Sequence, residues 1–364
     1  MVWLDTVTQS VGAGARDFVC MLSLRRSRWI LLLCFFACGW QSTIRSQESD
    51  SSNAKNSNEV SKDSKRSVLI VVGAPGEPTY GEAFRTWAET WKKAFDTKCD
   101  FEYIDGSLDS AAGPSTDRSK IMDWISRADN AHEKWMIFIG HGTSDKDGHK
   151  INLRGPDLSA EELSKELNAQ SGKRWVIVNC ASSSGPFINA LSGADRVIIT
   201  ATKSGAEQNY ARFGEYMAQS LSDPTADLDH DNCISILECF LAASNRVAQF
   251  YANEDRLASE QSLLDDNGDK KGTPAAFYRG ARPVKAPADG LKLDGSLANR
   301  FIVTRFEGEP ELSDDQRTKV DALEMKIETL RTKKKEMPED EYYRELESIL
   351  FEIIALRRAP VSNR

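Results

Sequence analysis

Trp135-Met136-Ile137-Phe138-Ile139 empties into Gly140-His141-Gly142-Thr143, and Trp175-Val176-Ile177-Val178 empties into Asn179-Cys180-Ala181-Ser182. A short uncharged run that stops at glycine or a small polar residue reads as a buried parallel strand feeding a loop. Open α/β sheets carry their chemistry outside the carboxyl ends of such strands. One strand end here delivers an imidazole and the next a thiol, the material of a Cys-His nucleophilic site.

The sequence between these strands supplies a crossover. Ser159 and Glu162 form a capping box, Leu158 and Leu163 a hydrophobic staple, Leu163 and Leu167 a buried stripe, and Gly172 a stop. A right-handed crossover leaves the strands parallel and both loops on one edge, so His141 and Cys180 can meet. Further strands are expected at Val68-Leu69-Ile70-Val71-Val72, at residues 101–104 and at residues 196–201. The first leads into Gly73-Ala74-Pro75-Gly76, which lacks the spacing of a dinucleotide fingerprint and reads as a plain turn. Phe84, Trp87, Trp91 and Phe95 recur at helical spacing as a core stripe, and Ile121, Trp124 and Ile125 mark another helix. Helices are also expected near residues 208–220 and 234–251. The fold class expected over residues 68–281 is α/β with a mostly parallel central sheet.

The flanks differ. Residues 282–311, rich in Pro, Gly and polar side chains, read as a linker or edge extension. Val320, Leu323, Ile327 and Leu330 recur at helical spacing, Pro338 suits a first turn, and Leu346, Ile349, Leu350, Ile353 and Ile354 follow. Residues 312–358 are therefore expected to form a helical hairpin, docked on the domain or used for self-association. At the other end, RRSRW at 25–29 precedes the apolar run ILLLCFFACGW at 30–40. That run suits a secretory signal and falls short of the roughly 20 residues of a spanning helix. Residues 1–45 are read as a signal peptide or membrane anchor, with Met21 the better start. Residues 46–67, nearly devoid of apolar side chains, are read as a disordered linker. The expected location is exported: periplasmic, extracellular or cell-surface.

A formal charge of −8 argues against a nucleic-acid partner. Of the seven cysteines only Cys99, Cys180, Cys233 and Cys239 lie beyond the N-terminal segment, too few for a disulfide framework.

The small residues after Cys180, followed by Pro186-Phe187-Ile188, read as a helix start facing the thiol. Aligned N–H groups would draw its pKa from about 8.5 toward neutrality, with His141 taking the proton. The backbone N–H groups of Cys180 and Gly142 are the expected oxyanion donors. The reaction this allows is acyl transfer: Cys180 attacks a peptide carbonyl, His141 protonates the leaving amine, and water hydrolyses the thioester. Asn179 points to the other side of the strand and reads as scaffold.

A second signal is calcium. Residues 227–238 (DLDHDNCISILE) place Asp227, Asp229, Asp231, the Cys233 carbonyl, Ser235 and Glu238 at positions 1, 3, 5, 7, 9 and 12 of a Ca²⁺ loop. Asn232 replaces the usual glycine and tolerates the left-handed turn, while His230 faces outward. Asp265-Asp266-Asn267-Gly268-Asp269 starts like a second loop but lacks the closing Glu.

The strand ending at His141-Gly142, the next ending at Cys180 with small residues after it, and their order resemble the caspase-like superfamily of cysteine peptidases, specifically bacterial relatives of the legumain-type family C13. The resemblance spans roughly residues 68–220. It implies a three-layer sandwich, a His141–Cys180 dyad, peptide or protein substrates, and a pocket wall at residues 199–205, near Glu207. The chain departs from the family's usual acidic residue and Ala before the nucleophile, having Val178 and Asn179. The leading expectation is a cysteine endopeptidase. The alternatives are a catalytically inactive binding or scaffold module on the same fold, and another Cys-dependent acyl transfer.

Overall fold

The structure is a computed structural model and describes residues 66–95, 99–105, 116–284, 293–306 and 312–358. The expected signal peptide or anchor, and the linker as far as residue 65, lie outside the described residues.

The chain runs through β1 (Arg66–Val72), α1 (Pro78–Ala94), β2 (Asp100–Asp105), α2 (Asp117–Ser126) and β3 (Glu133–Ile139). A small antiparallel sheet follows, made of β4 (Gly142–Asp145), β5 (Gly148–Ile151) and β6 (Leu158–Ser159). Next come α3 (Ala160–Ala169), β7 (Arg174–Asn179), α4 (Phe187–Leu191), β8 (Arg196–Thr200) and α5 (Phe213–Ser220). The remainder comprises β9 (Cys233–Ser235), α6 (Ile236–Asn253), β10 (Leu263–Asp265), β11 (Tyr278–Arg279), β12 (Arg282–Pro283), β13 (Ile302–Arg305), α7 (Asp314–Lys333) and α8 (Glu339–Arg358). The central sheet has the order β10-β8-β7-β3-β1-β2 and is parallel except for β10. None of the helices among the described residues is long and apolar enough to cross a membrane.

Alternation along the strands sorts the core into two layers of contact. Val68, Ile70, Val72, Trp135, Ile137, Val176, Val178 and Cys180 face α1, α5 and α6. Leu69, Val71, Met136, Phe138, Trp175 and Ile177 face α2, α3 and α4. Burial on both sides is why these strands read as continuous apolar runs rather than alternating ones. The capping box on Ser159 and Glu162 is present at α3, with Leu158 and Leu163 fully buried.

The fold begins two residues before the expected linker boundary. Arg66 enters β1 because its guanidinium pairs with Glu133 on β3 and lies over the Trp135 ring at 4.9 Å, and Ser67 is buried beside it. Within the segment 282–311, β12 pairs with β11, and β13 adds a strand to β9. The C-terminal helices α7 and α8 share a separate small apolar cluster of Val320, Leu323, Ile327 and Ile353. Leu350 and Ile354, expected in its buried stripe, are exposed instead. They lie one helix face beyond Leu346, Ile349 and Ile353, wider than one neighbouring helix covers.

Glu133 ties three strands and the hairpin together. Its carboxylate takes Arg66 Nε at 3.1 Å and Arg174 Nη2 at 2.6 Å, and Arg174 Nη1 reaches Asp321 on α7 at 3.4 Å. Burial alone would raise the Glu133 carboxyl, but Arg66 and Arg174 hold it below the usual carboxylate range. A depressed pKa stabilises the fold at pH values above the unfolded-state pKa, and that contribution disappears as pH falls through the folded-state value. Acid unfolding of Glu133→Gln should therefore depend less steeply on pH below about 4.3 than that of wild type. Glu133→Ala, which leaves two arginines without their anion, should cost about 3–5 kcal/mol in urea unfolding at neutral pH.

Candidate functional site

The strand order reverses at β1: β2 lies on one side and β3 on the other. Such a switch point opens a crevice at the carboxyl ends of the strands. Gly73 and Gly140 make the crevice narrow. Gly73 N–H donates to Ile139 O at 2.9 Å, and a Cβ on Gly73 would fall 2.3 Å from Asn152 O.

His141 sits at this point. Its Nε2–H donates to Pro75 O at 3.1 Å, in the turn after β1, which leaves Nδ1 as the ring acceptor. Tyr80 and Phe84 of α1 meet the ring edge-on at 5.1 and 5.2 Å, and Tyr210 stacks on Tyr80 at 5.0 Å. Half-burial lowers the His141 pKa, partly opposed by the bond to Pro75, so the imidazole is neutral at pH 7.

Cys180 is more deeply buried, although Phe84 and Trp87 of α1 belong to the same core. It continues the face of Val176 and Val178, so its side chain enters the core beneath α1 and α5 with 1% of its surface exposed. Gly214 of α5 closes over it: a Cβ there would lie 2.9 Å from Cys180 Cβ and 2.8 Å from the Trp87 ring. Burial pushes the thiol up to about 12, opposite to the expected fall toward neutrality. The expected helix N-terminus does not reach it. Helix α4 begins at Phe187 after a turn, and its first N–H groups already bond Ser184 O and Gly185 O. Among the described residues no hydrogen bond joins Cys180 to His141.

The expected oxyanion donors are also engaged. Cys180 N–H donates to Phe138 O at 2.9 Å as part of the sheet, and Gly142 N–H donates to Ser182 Oγ at 3.3 Å. Gly142 is required because a Cβ would collide with Ser182 O at 2.4 Å. The side chain that abuts Gly142, 3.4 Å from that Cβ position, is the methyl of Ala181. Asn179 is scaffold: its Oδ1 accepts from Ala181 N–H at 3.1 Å and turns the chain after β7. Glu207, expected near a pocket, instead accepts from Lys203 N–H at 3.0 Å and Gln261 N–H at 3.1 Å, bracing two loops.

In the loop 227–238, ligand oxygens of Asp227, Asp229 and Asp231 lie within 4.8 Å of one another. His230 and Asn232 both take positive φ, 60° and 61°, so Asn232 makes the left-handed turn. His230 is exposed. Glu238 is directed elsewhere: it accepts from Leu228 N–H and Ser235 N–H, both at 2.8 Å, and closes a capping box with Ser235 at the start of α6. Cys233 is a buried residue of β9. Nothing in the local pattern pointed to Arg357, which reaches Asp231 Oδ2 from α8 at 3.3 Å.

The second acidic run braces the fold. Asp266 accepts from Gly295 N–H at 2.9 Å and Ala298 N–H at 2.8 Å, and Asp294 accepts from Asp266 N–H at 2.9 Å. Burial pushes Asp294 up to about 8. Sequence reasoning missed Tyr80, Tyr210, Gly214 and Asp294. A glycine inside the helical stretch at 208–220 was the available sign that α5 approaches something closely.

No protein-family model matches the chain, and no curated protein matches it in sequence. Solved structures similar to it include the following two. One is the Drosophila initiator caspase Dronc, at 14% identity and a TM-score of 0.38, over 65% of this chain and 95% of that one. The other is iotapain, a secreted C11 cysteine protease from Bacteroides thetaiotaomicron, at 11% identity and a TM-score of 0.35, over 56% of this chain and 66% of that one.

Burial of Cys180 has a direct readout. At pH 7 a thiol titrating near 12 is ionised to about one part in 10⁵. Iodoacetamide should leave Cys180 intact in the folded protein and modify it after denaturation, as peptide mass spectrometry will report. Gly214→Ala, which forces a methyl against Trp87 and Cys180, should destabilise the fold by about 1–3 kcal/mol.

Proposed function

We propose that this chain is a non-catalytic α/β module of caspase-like design that binds a peptide or protein segment at the carboxyl edge of its sheet. The observation that carries this reading is the enclosure of Cys180 between Gly214 and Trp87, with no hydrogen bond to His141 among the described residues. A nucleophile needs a thiolate and a path to the carbonyl, and this thiol has neither. The neutral, half-buried His141, packed against Tyr80 and the buried Phe84, serves instead as a polar group with Nδ1 available as an acceptor.

The second reading is a cysteine endopeptidase using His141 and Cys180. It is favoured by the placement of both residues at the carboxyl ends of adjacent strands, and requires α5 to withdraw from Cys180. Membership of the legumain-type family, and export through the apolar run at 30–40, are further parts of the proposal that rest on sequence.

Peptidyl electrophiles bearing Asn, Asp, Arg or Lys at the recognition position decide between the two. The binding-module reading expects no covalent adduct on folded wild type, and saturable binding of unreactive peptides that weakens about tenfold or more in His141→Ala or Tyr80→Ala. Adduct formation at Cys180, lost in Cys180→Ala, would install the peptidase reading in its place.

Calcium binding at Asp227, Asp229 and Asp231 is proposed as a stabiliser of the region around α6. It is supported by the convergence of three carboxylates on a left-handed loop of calcium type. Cys233 O, Ser235 and Glu238 would complete the shell, Glu238 by turning from its backbone bonds. Added Ca²⁺ at a hundred times its Kd should stabilise the fold by about 2.7 kcal/mol, read as a rise in Tm, and Asp229→Ala should abolish that rise.

A further inference from the structure

Helix α8 carries two apolar faces. One, with Tyr342 and Ile353, is buried in the hairpin. The other exposes Tyr343, Leu350, Phe351 and Ile354 by 48%, 44%, 62% and 41%, and they line a shallow groove together with Leu346 and Glu347. The other large apolar side chains exposed among the described residues, Tyr103, Leu257, Val284 and Met325, lie elsewhere in the chain. Isolated exposed apolar residues are ordinary, but a continuous strip along about three helical turns marks a contact surface. Positions 343, 347, 350 and 354 also repeat at the spacing of a helix-helix seam.

The charge on α8 identifies the occupant. Its first turn carries Glu339, Asp340 and Glu341, and its last turn Arg357 and Arg358. A second α8 laid antiparallel, about a two-fold axis midway between Glu347 and Leu350, sets Tyr343 against the partner's Ile354 and Leu346 against the partner's Phe351. The same placement brings Glu339 opposite the partner's Arg358. A parallel arrangement would set acid against acid. An anionic lipid surface is disfavoured because amphipathic helices of that kind carry Lys and Arg along the polar face, whereas this one carries Glu341, Glu345 and Glu352.

We infer that the exposed face of α8 is the interface of a homodimer in which the two α8 helices pair antiparallel. The interface is isologous, each subunit offering the same strip to the other. This inference is independent of the reading of His141 and Cys180.

Sedimentation equilibrium on the full chain tests it. Wild type should sediment as a dimer, and Leu350→Glu with Phe351→Glu should sediment as a monomer with unchanged far-ultraviolet circular dichroism. Arg358→Glu should raise the dimer Kd about tenfold, and adding Glu339→Arg to it should restore the wild-type value, because the reversed pair again meets across the axis. A monomeric wild type at tens of micromolar overturns the inference, as does a Glu339→Arg/Arg358→Glu protein no tighter than Arg358→Glu alone. A monomer that co-sediments with phosphatidylglycerol vesicles through the same strip also overturns it.

Discussion

The period of two along β7 is the constraint on which the site depends. Because Val176 and Val178 must fill the layer beneath α1, α5 and α6, Cys180 is committed to the same side. A one-residue change of register would turn every one of these side chains over and expose the core face. The thiol thus shares the fate of the valines, and the helix that seals them also seals it. Gly214 completes the enclosure by letting α5 approach where any larger residue would stand off.

His141 is under the opposite regime. It leaves the sheet at the point where strand order reverses and is half-buried against Tyr80 and Phe84 of α1 and the turn after β1, Phe84 belonging to the same core as Cys180. Adjacent strand ends therefore deliver their side chains to different environments, one half-solvated and one dry. Burial disfavours charge on both groups, keeping the thiol protonated and the imidazole neutral. No charge pair forms between them to reverse that preference.

Much of this was readable before the structure, for reasons that differ by residue. The apolar runs at 68–72, 135–139 and 175–178 announced parallel strands because both of their faces are covered. Ser159 and Glu162 announced α3 because a capping box is local, and Asn232 announced a left-handed turn for the same reason. What local sequence did not carry was the destination of each side chain. Cys180 looked reactive from its small neighbours, yet its exposure is decided by Gly214 and Trp87, distant in sequence. Glu238 fits both position 12 of a metal loop and the third residue of a capped helix, and in the structure its oxygens meet backbone N–H groups. Leu350 and Ile354 satisfied helical periodicity, but periodicity alone does not say how wide a face the neighbouring helix covers.

Arg174 belongs to two partnerships at once, with Glu133 at the head of β3 and with Asp321 on α7. The position of the hairpin and the protonation of a carboxyl among the strands consequently share one guanidinium. Linkage between two such equilibria is reciprocal: besides burial, the Glu133 charge raises the Asp321 carboxyl, so an ionised Asp321 held on Arg174 favours the proton on Glu133 by the same free energy.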